Sequence, residues 1–154
     1  MKLFMAIPLS STNFSLQYSG SFSKMDVKKL NSFIEAGEHQ RIKSGTLQSA
    51  TFNINVNSGH ASGKLRLAYN DLTVAVLNEE TGSEKGFFNR ILSLFGKVFI
   101  IRGTNMLDKN GSMKIGEISH TKKPGEHFFH FIWFALKSGV GDVVGFPSDV
   151  NSDN

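Results

Sequence analysis

The chain has 154 residues, with 17 Lys and Arg against 13 Asp and Glu for a formal net charge of +4, and it contains no Cys. The length fits one domain, and an apolar fraction of 40% excludes a disordered or collagen-like chain. Without cysteine there is no disulfide framework, thiolate zinc site or cysteine nucleophile. Basic residues are spread from Lys2 to Lys137, and only Lys28-Lys29 and Lys122-Lys123 are adjacent. The charge therefore reads as solvation, not as a nucleic-acid stripe.

The start alternates. Leu3, Met5, Ile7 and Leu9 share one register, and Phe14, Leu16 and Tyr18 continue in the other after a polar run at 10–13. Alternation of this kind predicts half-buried strand, either as a hairpin or as one long bulged strand. The apolar stretch at 3–9 lacks the cleavage site of a signal peptide. No run reaches the roughly 18 apolar residues of a transmembrane helix. A short helix follows, capped by Asp26 and ended by Gly37, with Val27, Leu30, Phe33 and Ile34 on one face.

Residues 45–77 carry the strongest strand signal. Phe52, Ile54 and Val56 alternate with asparagines, and 58–63 has the composition of a turn. Leu65, Leu67 and Tyr69 then alternate, followed by Leu72, Val74 and Val76 in the opposite phase. One extra residue near Asn70-Asp71 restores a continuous apolar face, which predicts a bulge there. A loop is expected at 78–85. A helix is expected where Phe87, Phe88, Ile91, Leu92 and Phe95 recur before Gly96. A short strand at 98–102, a turn at Asp108-Lys109-Asn110-Gly111 and a weaker strand at 113–120 come next. An aromatic helix at 126–137, ended by Gly139 and Gly141, closes the pattern before a disordered tail at 147–154. The sum is an α+β fold: a curved, mostly antiparallel sheet of five or six strands with two or three short helices, forming one β-rich domain over 1–146.

Few residues are arranged for chemistry. His127 and His130 stand at helical spacing and could share a metal, but Glu126 is out of order for a zinc-protease helix and no third ligand is evident. There is no nucleophile elbow and no phosphate loop. Asp71, at the expected bulge, reads as a turn residue. No catalytic residue, metal site or cofactor is expected, so the chain reads as a non-enzyme. The aromatic cluster is distinctive. Phe128, Phe129, Phe131, Trp133 and Phe134 cannot all point one way, so this helix needs cover on several sides. Phe128, Phe131, Trp133 and Phe134 are the expected contacts for a partner or a membrane.

The order of segments resembles a known family. Tyr18-Ser19-Gly20-Ser21-Phe22 leads into Met25-Asp26-Val27-Lys28-Lys29-Leu30-Asn31, and Arg41-Ile42-Lys43-Ser44-Gly45-Thr46-Leu47 opens a strand region. That region ends in Gly63-Lys64-Leu65-Arg66-Leu67-Ala68-Tyr69-Asn70-Asp71-Leu72-Thr73-Val74. Asn105, Gly116-Glu117-Ile118, Phe128-Phe129-His130-Phe131-Ile132-Trp133 and Leu136-Lys137-Ser138-Gly139-Val140 follow. Together, over roughly 14–141, they resemble the C-terminal region of AsmA-like proteins of Gram-negative envelopes. The pattern departs from the family at His120-Thr121-Lys122-Lys123-Pro124, where an arginine would close the strand.

The resemblance implies a bridge-like lipid carrier anchored through an N-terminal helix, of which this chain would be a C-terminal fragment in the periplasm or envelope. It further implies a non-enzymatic module for lipid transport or outer-membrane assembly. Acyl chains would then lie against Phe52, Ile54, Val56, Leu65, Leu67, Leu72, Val74 and Val76. The same face would also serve as an ordinary core under helices. The competing expectation is an α+β protein-interaction domain that docks through its Phe/Trp helix. Neither reading involves nucleic acid.

Overall fold

Two neighbouring strands of 18 residues each occupy the centre of the strand order in the computed structural model. The described residues are 1–8, 10, 13–32, 34, 40–77, 84–88, 92–94, 97–99 and 101–145. The elements are β1 (Lys2–Ala6), β2 (Leu16–Phe22), β3 (Met25–Asp26), a 3-10 turn (Val27–Leu30), β4 (Gln40–Asn57), β5 (His60–Leu77), β6 (Glu84–Phe88), β7 (Leu92–Leu94), β8 (Lys97–Phe99), β9 (Ile115–Thr121) and α1 (Phe128–Val144). The main sheet runs β1-β2-β4-β5-β6, with the two-residue β3 on β4 and with β9 on β5, while β7 and β8 pair separately. β1–β2, β2–β4, β3–β4, β5–β6, β5–β9 and β7–β8 pair antiparallel, so the α+β class with a mostly antiparallel sheet holds. The chain divides into two compact units, and β4 and β5 contribute to both.

The first unit comprises Met1–Ser23, Ser49–Leu67 and Lys114–Asn154. The opening alternation resolves as a hairpin, β1 on β2, with Ala6 opposite Gln17. β2 continues onto β4 with Leu16 opposite Val56. The turn between β4 and β5 is tighter than its composition suggests. Only Ser58 and Gly59 form it, with φ of 48° and 80°, and two positive φ values are what a two-residue type I′ turn demands. His60 already pairs with Thr121 on β9.

α1 packs on β9. Phe131, Ala135, Gly139 and Val143 recur every four residues and are buried, so one stripe of the helix faces the sheet. The helix runs past Gly139 and Gly141, contrary to the expectation that they end it. Gly139 is instead a contact residue, because a Cβ there would sit 2.5 Å from Ile118. The left-handed cap is Gly145, whose N–H donates to the Gly141 carbonyl at 2.8 Å. α1 also seals the free edge of β9. The Glu117 N–H donates to Asp142 Oδ2 at 2.8 Å and the Ser119 N–H donates to Ser138 Oγ at 3.1 Å. Two helix side chains thus take the place of a ladder partner. Burial pushes the Asp142 carboxyl up, but the Glu117 N–H and the Lys114 ammonium, 2.9 Å away, hold it below its ordinary value.

The second unit comprises Lys24–Gln48 and Ala68–Met113. Asp26 caps the 3-10 turn as expected, accepting from the Lys28 N–H at 2.9 Å. Helical backbone continues at Asn31, Ser32 and Ile34, while Phe33 and Gly37 lie outside the described residues. Asn31 donates to the Ile42 carbonyl and accepts from its N–H, pinning this turn to β4.

The bulge in β5 is where the phase change puts it. Tyr69 and Asn105 exchange backbone hydrogen bonds, and the Leu72 N–H donates to the Gly103 carbonyl. Asn70 and Asp71 therefore stand opposite Thr104 alone, and Asp71 takes φ 57°. The turn at 108–111 closes through Gly111 N–H to the Asp108 carbonyl.

Two expectations fail in this unit. Glu84 and Lys85 begin β6 instead of ending a loop, and Phe87 and Phe88 pair with Ala75 and Val74 as strand instead of opening a helix. Aromatic residues suit a pleated ladder, and three-residue recurrence in so short a run does not separate helix from strand. Ile91, Phe95 and the tail at 147–154 lie outside the described residues.

Candidate functional site

The face expected to line a groove is, in the first unit, a closed core. Phe52, Ile54, Val56 and Leu65 cluster with Leu16, Tyr18, Ile118, Phe131 and Ala135, and Ile54 and Phe131 are 0% exposed. Leu67 is half-buried against the same cluster. The Tyr18 hydroxyl donates to the Ile132 carbonyl at 3.3 Å, tying β2 to α1. Burial raises the Tyr18 phenol well above its ordinary range. Alternation in β4 identified this face correctly, and α1 packs over it, so Phe52, Ile54 and Leu65 are core side chains. In the second unit Leu72 is half-buried and Val74 buried, and the Val76 side chain lies outside the described ones.

The expected contact residues of the helix differ in burial. Phe131 is part of the core. Phe128, Trp133 and Phe134 are half-buried. Phe128 and Phe131 meet Phe14 edge-on, at 6.2 and 5.1 Å between ring centroids. The exposed aromatic is Phe129, at 82%, which the sequence places in the cluster without singling it out.

Further accessible apolar surface of this unit lies at β1. Leu3 and Phe4 are 60% and 64% exposed, and Ile7 is 52% exposed. Among the described residues β1 has β2 as its one strand partner, so its far edge is open. At the end of this strand is a pocket of about 520 Å³ lined by apolar Ala6, Ile7, Pro8, Leu16 and Val56 together with polar Ser15, Gln17, Asn55 and Asn57. The pocket and the strand edge are continuous through Ala6 and Ile7. Of the residues predicted to hold lipid, Val56 alone reaches the pocket.

Polar groups near the helix start are committed to each other. His120 Nε2 lies 2.9 Å from Glu126 Oε1, and Glu126 Oε2 accepts from the Lys123 N–H at 3.0 Å. The His120 ring packs on Phe131 and Phe134. His130 meets Phe134 edge-on, at 4.8 Å between ring centroids. Among the described residues no three His, Asp or Glu side chains group as metal ligands. Among them, too, no helix is long and apolar enough to cross a membrane. Compared with known proteins, the chain matches no family model, no curated protein and no solved structure.

Proposed function

We propose that this chain is a non-enzymatic module of the bacterial envelope that holds acyl chains, acting in lipid transport or outer-membrane assembly as part of an AsmA-like protein. The observation that carries this reading is the pocket at the end of β1, lined by Ile7, Pro8, Leu16 and Val56, next to a strand whose Leu3 and Phe4 are exposed. The site is thus moved from the sheet face, which α1 occupies, to the end of the sheet. Exposed apolar patches of this kind mark binding surfaces, and each methylene taken from water contributes about 0.8 kcal/mol. A long-chain fluorescent fatty acid, added without vesicles, tests it. The wild-type protein should bind stoichiometrically, and Ile7→Asp should bind about tenfold more weakly or worse, since burying one Ile contributes about 1.5–3 kcal/mol. Ile7 is already half-exposed, so the variant keeps its fold. Equal binding by the two proteins, or none by either, overturns the reading.

The protein-interaction reading draws on a different feature, the open edge of β1, which suits strand addition better than the Phe/Trp helix suits docking. Its test is Phe4→Lys. Loss of a defined complex with unchanged fatty-acid binding would favour it.

A further inference from the structure

One end of the first unit gathers apolar prongs and cations without exposed carboxylates. The registers Ala6–Gln17, Leu16–Val56 and His60–Thr121 put residues 7–8, 14–15, 57–59 and 122–123 at the same end of the sheet. Backbone bonds tie these connections together. The Gly59 N–H donates to the Phe14 carbonyl and the Lys122 N–H to the Gly59 carbonyl, each at 2.8 Å. Phe14, packed on Phe128 and Phe131, brings the start of α1 to this end as well. Phe129 and Ile7 protrude there. Lys123 is exposed, and Lys122 is half-buried with its ammonium 5.6 Å above the Phe14 ring. The sole acid in the segments 5–8, 13–17, 55–60 and 121–130 is Glu126. Its side chain is 5% exposed and held by His120 and the Lys123 N–H, so it does not offset the lysines at the surface.

We propose that this end docks on an anionic lipid surface, with Phe129 inserted at the headgroup level and Lys122 and Lys123 against the phosphates. The chemistry separates a bilayer from a protein partner. Protein interface cores are depleted of lysine, and their aromatic anchors fill pockets in the partner. Interfacial membrane contacts combine apolar prongs with a lysine fringe, and a fluid surface closes around a protruding ring. The proposal stands apart from acyl-chain binding, since a domain docks on a bilayer whether or not it takes up a lipid.

Sedimentation with vesicles of phosphatidylcholine, alone or with one third phosphatidylglycerol, tests it. The wild-type protein should pellet with the anionic vesicles and be released by salt. The double variant Lys122→Gln, Lys123→Gln should bind about thirtyfold more weakly, given the usual contribution of each lysine near an anionic surface. Phe129→Ser should lose about tenfold. All three positions lie at the surface, and unchanged melting temperatures confirm the folds. The proposal is overturned if the wild type binds neither vesicle or both equally, or if the variants bind as the wild type does. Phe129-dependent self-association in gel filtration without vesicle binding would make the surface a protein contact, which also overturns it. Fatty-acid uptake is measured without vesicles and through Ile7, so the two readings fail separately.

Discussion

Asp71 shows how far a single residue can be read. The phase change between Tyr69 and Leu72 demands one extra residue, and Asp71 supplies it in the left-handed region at φ 57°. Its neighbours accommodate the irregularity: Ser44 Oγ donates to the Asp71 carbonyl, and the Asn70 side chain donates to Asp71 Oδ2. A left-handed residue without a short polar side chain costs roughly 1–2 kcal/mol. Asp71→Val should therefore lower the urea midpoint by about that amount of stability, while Asp71→Gly should stay within about 0.5 kcal/mol of the wild type. An equal loss in both variants would place the cost in the Asn70 contact instead of the backbone. The contrast between Phe129 and Phe131 was not legible in the same way. Both lie in one aromatic run. Which is core depends on the phase at which α1 meets β9, and that phase is set by residues distant in sequence.

At the scale of elements, the long strands β4 and β5 were legible and the helix ends were not. The reason is visible in Gly116 and Gly139. A glycine inside an apolar run reads as a stop signal, yet Gly139 sits within α1 because the helix backbone approaches β9 too closely for a side chain. Gly116 is its counterpart on the strand, and a Cβ there would meet the Gly139 carbonyl oxygen and Val143. Backbone cannot rotate aside, so Gly116→Ala should destabilise by about 1–3 kcal/mol, the usual cost of overpacking. A thermal melt checks this, and an unchanged transition would mean that α1 slides along β9. Residues 84–88 show the opposite error, in which aromatic spacing suggested a helix where the chain forms a ladder with β5. Short aromatic runs satisfy both periods, and pairing partners decide between them.

The whole molecule offers one reporter for each of its units. It has two tyrosines, Tyr18 in the first unit and Tyr69 in the second. Burial pushes Tyr69 up to about 12, partly opposed by the charge of Arg102, and raises Tyr18 further. A phenol whose folded pKa lies above its unfolded value of about 10 stabilises the fold below that value, and the contribution is lost as pH rises through the folded pKa. Absorbance at 295 nm should therefore stay flat near pH 10, where free tyrosine ionises, and rise first from Tyr69. Tyr69→Phe should remove that earlier rise. Ionisation near pH 10 in the folded protein would mean that the phenols are accessible. Function was less legible than fold at this scale. Alternation in β4 shows that Phe52, Ile54 and Val56 share a face, but the same pattern serves a groove and a core alike, and the residues of α1 that decide between them lie some 75 positions later. The cover that α1 provides over β9 also has a timetable. On the ribosome β9 emerges first, and until Ser138 and Asp142 have been added, the amides of Glu117 and Ser119 face outward on a nascent chain. During that interval any neighbouring strand can template on them, so mistakes of assembly in this protein would begin in the seconds between the synthesis of β9 and of α1.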